Sequence, residues 1–160
     1  NVAISALPGD WRAVTYVNNM FVAVGEFGEA VYSTDGVTWN FENTGTEVTL
    51  YGLGANDTLL VAVGDSGVII TRPLSGHEWT PVEETATDYT LRAVAWSGER
   101  FVAVGDMIGE TSFGYNVVVS DDAVQWAARI SAGAISMYGV HWNGERFVSV
   151  GEFGVIRTSP

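Results

Sequence analysis

The string FVAVGEFG, beginning at Phe21, returns three times with few changes along the 160-residue chain. Its counterparts begin at Leu60 (LVAVGDSG), Phe101 (FVAVGDMIG) and Phe147 (FVSVGEFG), at intervals of 39, 41 and 46 residues. A chain built from copies of one small unit cannot bury that unit's apolar face within a single copy, so the copies must pack on one another. Each copy is a series of short runs rich in Val, Ile, Phe, Tyr, Trp and Thr, punctuated by Gly, Asn and Asp. No apolar period of 3.6 occurs in any of them, and the composition is that of strands and tight turns.

The third unit shows the order. Leu91 to Trp96 is predicted as a first strand, Ser97-Gly98-Glu99 as a turn, Arg100 to Val104 as a second strand, Asn116 to Ser120 as a third and Gln125 to Ile130 as a fourth. The first unit runs likewise from Trp11 to Asn43, with Asn18-Asn19 at its first turn, and the fourth has Asn143-Gly144 there, a pair suited to a two-residue hairpin with positive φ. A period near 40 with four strands per copy predicts an all-β propeller of four four-stranded antiparallel blades, over residues 11–45, 50–84, 91–132 and 137–160 plus 1–6, as one domain. The fourth unit reaches Thr158-Ser159-Pro160 without an outermost strand, and the stretch from Ile4 aligns with that from Ile130. Asn1 to Ser5 is therefore expected to complete the last blade and hide two sheet edges. The alternative is a larger ring, cut from a longer protein or completed by a second copy.

Between third and fourth strands the first unit reads Ser33-Thr34-Asp35-Gly36-Val37-Thr38-Trp39. This resembles an Asp-box, the Ser-x-Asp-(x)-Gly-x-x-Trp hairpin of BNR-like repeat propellers, among them sialidase-like propellers and propellers similar to photosystem II assembly factors. The resemblance implies that the Asp carboxylate accepts from turn N–H groups and that the Trp packs between blades. It is partial in the third unit, where Ser120, Asp121 and Trp126 are assigned to the box and Ala123 replaces the glycine. It is eroded between Thr71 and Trp79. Because such propellers include hydrolases, lectin-like binders, assembly factors and structural proteins, the resemblance speaks for fold far more than for function.

Charge narrows the partners. Seven Lys+Arg against 19 Asp+Glu give a net charge of −12, all seven cations are arginines, and cysteine is absent. An acidic chain of this kind repels phosphate backbones, so no nucleic-acid partner is expected. Apolar runs such as Leu59 to Val63 are far shorter than the ~20 residues of a spanning helix, so membrane insertion is not expected either. The first residue is Asn, read as the mark of a processed chain or a fragment, and together with the Asp-box resemblance this points to secretion.

Four constellations are candidates for chemistry. Arg12 and Arg92 share an aligned position with Tyr51 and Tyr138, a set that would cradle a carboxylate or sulfate if the guanidinium groups were free; pairing with local acids is the plainer reading. Glu26, Asp65, Asp106 and Glu152 also align, each after the Gly that ends a second strand. They are expected to cap turn N–H groups or solvate a rim, with no metal or other cofactor. The segment from Met107 to Tyr115 is longer than its counterparts and carries Met107, Phe113 and Tyr115, a loop suited to stacking on sugar rings or burial in a partner. Asn56-Asp57-Thr58 is a glycosylation sequon. His77 is expected exposed and His141 packed, and Gly64-Asp65-Ser66-Gly67, despite its likeness to a serine-protease nucleophile segment, is expected to be only a hairpin. These readings predict a non-enzymatic module on the outside of a cell or virion, serving interaction or structural assembly with a protein partner or with copies of itself, including filaments. A lectin-like glycan binder is the first alternative and a sialidase-like glycoside hydrolase the second.

Overall fold

A computed structural model describes residues 9–107, 113–132 and 135–159, with the side chains of 113–115 and 130–132 not described. Asn1 to Ser5 lies outside the described residues. Four antiparallel sheets follow one another along the chain. Blade 1 is β1 (Trp11–Val17), β2 (Met20–Gly25), β3 (Glu29–Ser33) and β4 (Asn40–Asn43). Blade 2 is β5 (Leu50–Ala55), β6 (Leu59–Gly64), β7 (Ile69–Pro73) and β8 (Thr80–Pro81). Blade 3 is β9 (Leu91–Trp96), β10 (Phe101–Gly105), β11 (Phe113–Ser120) and β12 (Ala127–Ala132), and blade 4 has β13 (Met137–Trp142), β14 (Phe147–Gly151) and β15 (Ile156–Thr158) among the described residues. Every blade runs up and down in chain order. Successive inner strands pack on one another, β1 on β5, β5 on β9 and β9 on β13.

The repeated string explains the packing. In β2, β6 and β10 successive residues point to opposite faces, and both faces are apolar. Val22 and Val24 face blade 2, where Leu60, Ala62 and Ile70 meet them; Val61 and Val63 face blade 3, where Phe101, Ala103 and Val118 do the same. All ten are 0 or 1% exposed, so the strands read as near-continuous apolar runs because each blade is a middle layer. Trp79 fills the space between blades 1 and 2, and Trp126 that between blades 2 and 3. Between blades 3 and 4 a cleft of about 700 Å³ is lined by Val102, Val104 and Val119 on one side and by Phe147, Trp142 and Arg157 on the other.

Several local expectations are corrected. The segment expected as a loop from Met107 to Tyr115 is already strand from Phe113, paired with Ala132. Asn18-Asn19 makes the expected turn with both φ positive, but at Asn143-Gly144 only the glycine is positive. There the Asn143 Oδ1 accepts from Glu145 N and Arg146 N, both at 2.9 Å, so the hairpin is wider than two residues. Ser97 Oγ and Asn56 Oδ1 do the same work in blades 3 and 2. His141 is exposed instead of packed.

Candidate functional site

The blade end that carries the turns between second and third strands gathers the aligned charged set. Arg12, Tyr51, Arg92 and Tyr138 are each the second residue of an inner strand, and each coincides with a shift of register in which one extra residue opposes the second strand. Such a bulge re-aims a side chain. Here Arg12, Arg92 and Tyr138 meet the acids that follow the second strands of their own blades. Arg12 pairs with Glu26. Arg92 grips Asp106 with two bonds, Nε at 2.9 Å and Nη2 at 2.6 Å. The Tyr138 hydroxyl donates to Glu152 at 2.9 Å. Asp65 accepts instead from Thr90 Oγ1 of the next blade at 3.1 Å, while the Tyr51 ring lies 4.2 Å from the Arg92 guanidinium, a cation–π contact joining blades 2 and 3.

The electrostatics follow from this pairing. The Glu26 hydrogen bond raises the pKa of Arg12, the Asp106 bonds raise that of Arg92, and the Glu152 bond raises that of Tyr138. The two arginines are thus held by carboxylates of their own blades, and Glu152 also accepts from Ser136 N, just before the inner strand of blade 4, at 3.3 Å. No three His, Asp or Glu side chains gather to hold a metal ion among the described residues.

The same turns carry a feature that sequence reading missed. Phe27, Ser66 and Phe153 occupy one position, each with left-handed backbone, at φ 54°, 56° and 55°. Phe27 is 75% exposed and Phe153 92%. The signal was in the repeated string itself, where an apolar residue stands inside a Gly-flanked turn. Met107 of blade 3 is partly buried, with its N–H 3.3 Å from Ser136 Oγ; the side chains of Phe113 and Tyr115 are not described.

The boxes lie at the opposite end. Asp35 Oδ1 accepts from Thr38 N at 2.7 Å, Val37 N at 2.8 Å and Ser33 Oγ at 2.9 Å. The two backbone bonds, with that of the serine, pull its pKa down to about 2. Gly36 supplies φ +71°. Trp39, expected between blades, is half-buried and lies 6.4 Å from Phe21 of its own blade. In blade 3 the carboxylate in the corresponding role is Asp122, not Asp121. Asp122 Oδ1 accepts from Val124 N and Gln125 N at 2.8 Å and from Ser120 Oγ at 3.0 Å, and Ala123 takes the glycine's place at φ 61°. Asp121 faces away and pairs with Arg100. In blade 2, Arg72 stands where Ser33 and Ser120 begin the other boxes, as the strand registers show. Its Nη2 donates to Glu42 Oε1 at 2.7 Å, and Trp79 Nε1 donates to Glu42 Oε2 at 2.8 Å. His77, expected exposed, has its side chain 55% exposed, and its Nδ1 lies 2.7 Å from Arg72 Nη2 and 2.6 Å from Glu42 Oε1. Asn56 is at this end too, its Oδ1 accepting from Thr58 N and Leu59 N.

Four radially stacked antiparallel sheets, inner strands side by side, define a β-propeller. In fold the chain is similar to the computationally designed Ika4 protein, with a TM-score of 0.72 at 13% identity over 98% of this chain and 94% of that one. It is similar also to the WD40 β-propeller domain of Doa1, with a TM-score of 0.69 at 11% identity over 95% of this chain and 52% of that one. No family model matches the chain, and no curated protein matches it in sequence.

Proposed function

We propose that the chain is a non-enzymatic interaction module, acting outside the cell, whose recognition face is the end bearing Phe27, Phe153 and the Arg/Tyr/carboxylate pairs. The exposed phenylalanines carry the reading. A left-handed backbone costs a residue with a Cβ about 1–2 kcal/mol, and Ser66 makes the same turn in blade 2, so the geometry does not call for an aromatic ring. Rings kept in water at a strained position serve contact with something else. The paired arginines add directional polar groups around them without net positive charge, which suits a protein surface with an apolar centre. A sialidase-like hydrolase needs a free arginine cluster for its substrate carboxylate, and Arg12 and Arg92 are engaged by Glu26 and Asp106. The lectin-like alternative rests on the same two rings, which would stack on sugars.

Selection of phage-displayed peptides against the chain, with a Phe27→Ser, Phe153→Ser double variant as counter-selection, tests the reading. Binders that the variant does not retain are expected; enriched peptides that bind both proteins equally refute it. Glycan-array signals lost in the variant would favour the lectin reading, and release of methylumbelliferone from glycosides would favour the hydrolase. Passage through a glycosylating secretory pathway is expected to add a glycan at Asn56, read as a mass shift absent in Asn56→Gln.

A further inference from the structure

The two ends of the blade series present complementary halves of one repeated interface, and both halves lie open. On the face that each blade turns to its successor, Val24 and Ala30 of blade 1 are 0% exposed, and Val63 and Ile69 of blade 2 are 0 and 1% exposed. The corresponding residues of blade 4, by strand register, are Val150 and Ile156. They are 46 and 69% exposed. On the face turned to a predecessor, Val94 of blade 3 is 7% exposed, whereas its counterpart Val14 in blade 1 is 64% exposed, beside Tyr16 at 58% and Phe41 at 57%. Small inner-strand residues show the same asymmetry. A Cβ on Gly52 would come within 2.8 Å of Ala93 in the next blade, while one on Gly139, the matching position, would meet only Val150 of its own blade. Among the described residues, β13 has no packing on β1 comparable to that of β9 on β5.

What covers these faces follows from the size of such a ring. The four blades superimpose over 95% of this chain on 52% of a WD40 propeller chain, so a ring of that kind takes about twice as many residues as one copy supplies. The missing half of such a ring is another arc of the same size, and its first blade must offer what Val150 and Ile156 need. Blade 1 of this chain does so, as blade 3 does for blade 2. We propose that a second copy of the chain closes the ring, with blade 4 of each copy packed on blade 1 of the other about a twofold axis along the channel. The contact is heterologous, and it closes at two copies because two copies supply the residues of one such ring. It uses the flanks of blades 1 and 4, and the mass of the assembly tests it whether or not Phe27 and Phe153 bind a partner.

Sedimentation equilibrium on the 160-residue chain tests the proposal. The expected mass is twice the 17.1 kDa of one copy. A chain that stays at 17.1 kDa at every concentration up to about 100 times the lowest overturns the proposal, as does an open series of higher masses, because either shows that two arcs do not close. Ile156→Glu places a charge on the exposed flank of blade 4 without touching that blade's own core. It is expected to give a monomer with the near-ultraviolet circular dichroism of the native tryptophans; a dimer that survives Ile156→Glu together with Val14→Glu overturns the proposed surface.

Discussion

Glu42 is the acceptor at the centre of the only fully buried arginine among the described residues, and its removal gives the sharpest stability prediction. The Arg72 side chain is 0% exposed and that of Glu42 2%. Arg72 Nε and Nη1 have no hydrogen-bond partner, so the guanidinium depends on Nη2 and its bond to Glu42 for most of its compensation. Glu42→Ala leaves a buried cation facing Met20 Sδ and a histidine ring, and strips Trp79 of its acceptor. Breaking a buried pair from one side costs about 3–5 kcal/mol, a large share of the roughly 5–15 kcal/mol that holds a domain folded. With a urea slope of about 2 kcal/mol per molar, the midpoint should fall by roughly 2 M, followed by tryptophan fluorescence with Trp79 as a local reporter. The double variant Glu42→Gln, Arg72→Met removes both charges, keeps an oxygen for Trp79 Nε1 and fills the volume. Apolar replacement of a buried pair is often neutral or better, so the double variant should lie closer to the parent than Glu42→Ala does. A midpoint for Glu42→Ala within about 0.3 M of the parent, or a double variant as unstable as the sum of the two single ones, would refute the reasoning.

Three further outcomes are expected. Asp35 titrates near 2, below its unfolded value of about 3.8, so its contribution is complete above that unfolded value and is lost as pH falls through 2; carboxyl ¹³C shifts of Asp35 and Asp122 should both report midpoints below 3.8, and an Asp122 midpoint at or above it would refute its role in the turn. Asp122→Ala should lower the melting temperature more than Asp121→Ala, since the first loosens the hairpin and the second removes an exposed pair with Arg100; equal effects in calorimetry would restore Asp121 to the box. Gly52→Val should cost about 1–3 kcal/mol by overpacking against Ala93, and a variant with unchanged melting would show that blades 2 and 3 are not in close contact there.

Much of the fold is legible because each structural decision is written several times. Four copies of Val-x-Val-Gly fix second strands that are apolar on both faces, which only a stacked sheet can bury, and the strand from Leu91 to Trp96 has the bounds its pattern suggests. The register of the box in blade 3 is less legible, since Asp121 and Asp122 are both carboxylates beside the turn. The sequence already sets Ala123 in the glycine's place, but the hydrogen bonds of Val124 N, Gln125 N and Ser120 Oγ to Asp122 Oδ1 are what show that this aspartate, not Asp121, turns inward. The inner-strand bulges leave no compositional trace either. Alignment places Arg12, Tyr51, Arg92 and Tyr138 together, but the extra residue at each of these positions, and the pairing of Arg12, Arg92 and Tyr138 with Glu26, Asp106 and Glu152, are visible only in the structure. Arg72 and Glu42 lie 30 residues apart on different blades, beyond the reach of any local pattern.

Repetition also makes divergence informative, because a difference between aligned positions is a choice that the fold did not require. At the left-handed turn blades 1 and 4 carry Phe27 and Phe153, while blade 2 carries Ser66 at the same φ. In a ring of two copies, blade 4 of one chain neighbours blade 1 of the other, so each junction brings a Phe153 beside a Phe27 of the second copy. The aromatic surface is then assembled by the ring, not by the single chain. The consequence is measurable: Ile156→Glu, which opens the junction while leaving both phenylalanines in place, should weaken binding of peptides selected on the parent chain by about tenfold or more. Such a loss with an intact fold ties recognition to assembly. Unchanged affinity in a demonstrated monomer would mean that each phenylalanine binds alone, and that the two terminal blades share the residue for a reason unconnected with the junction.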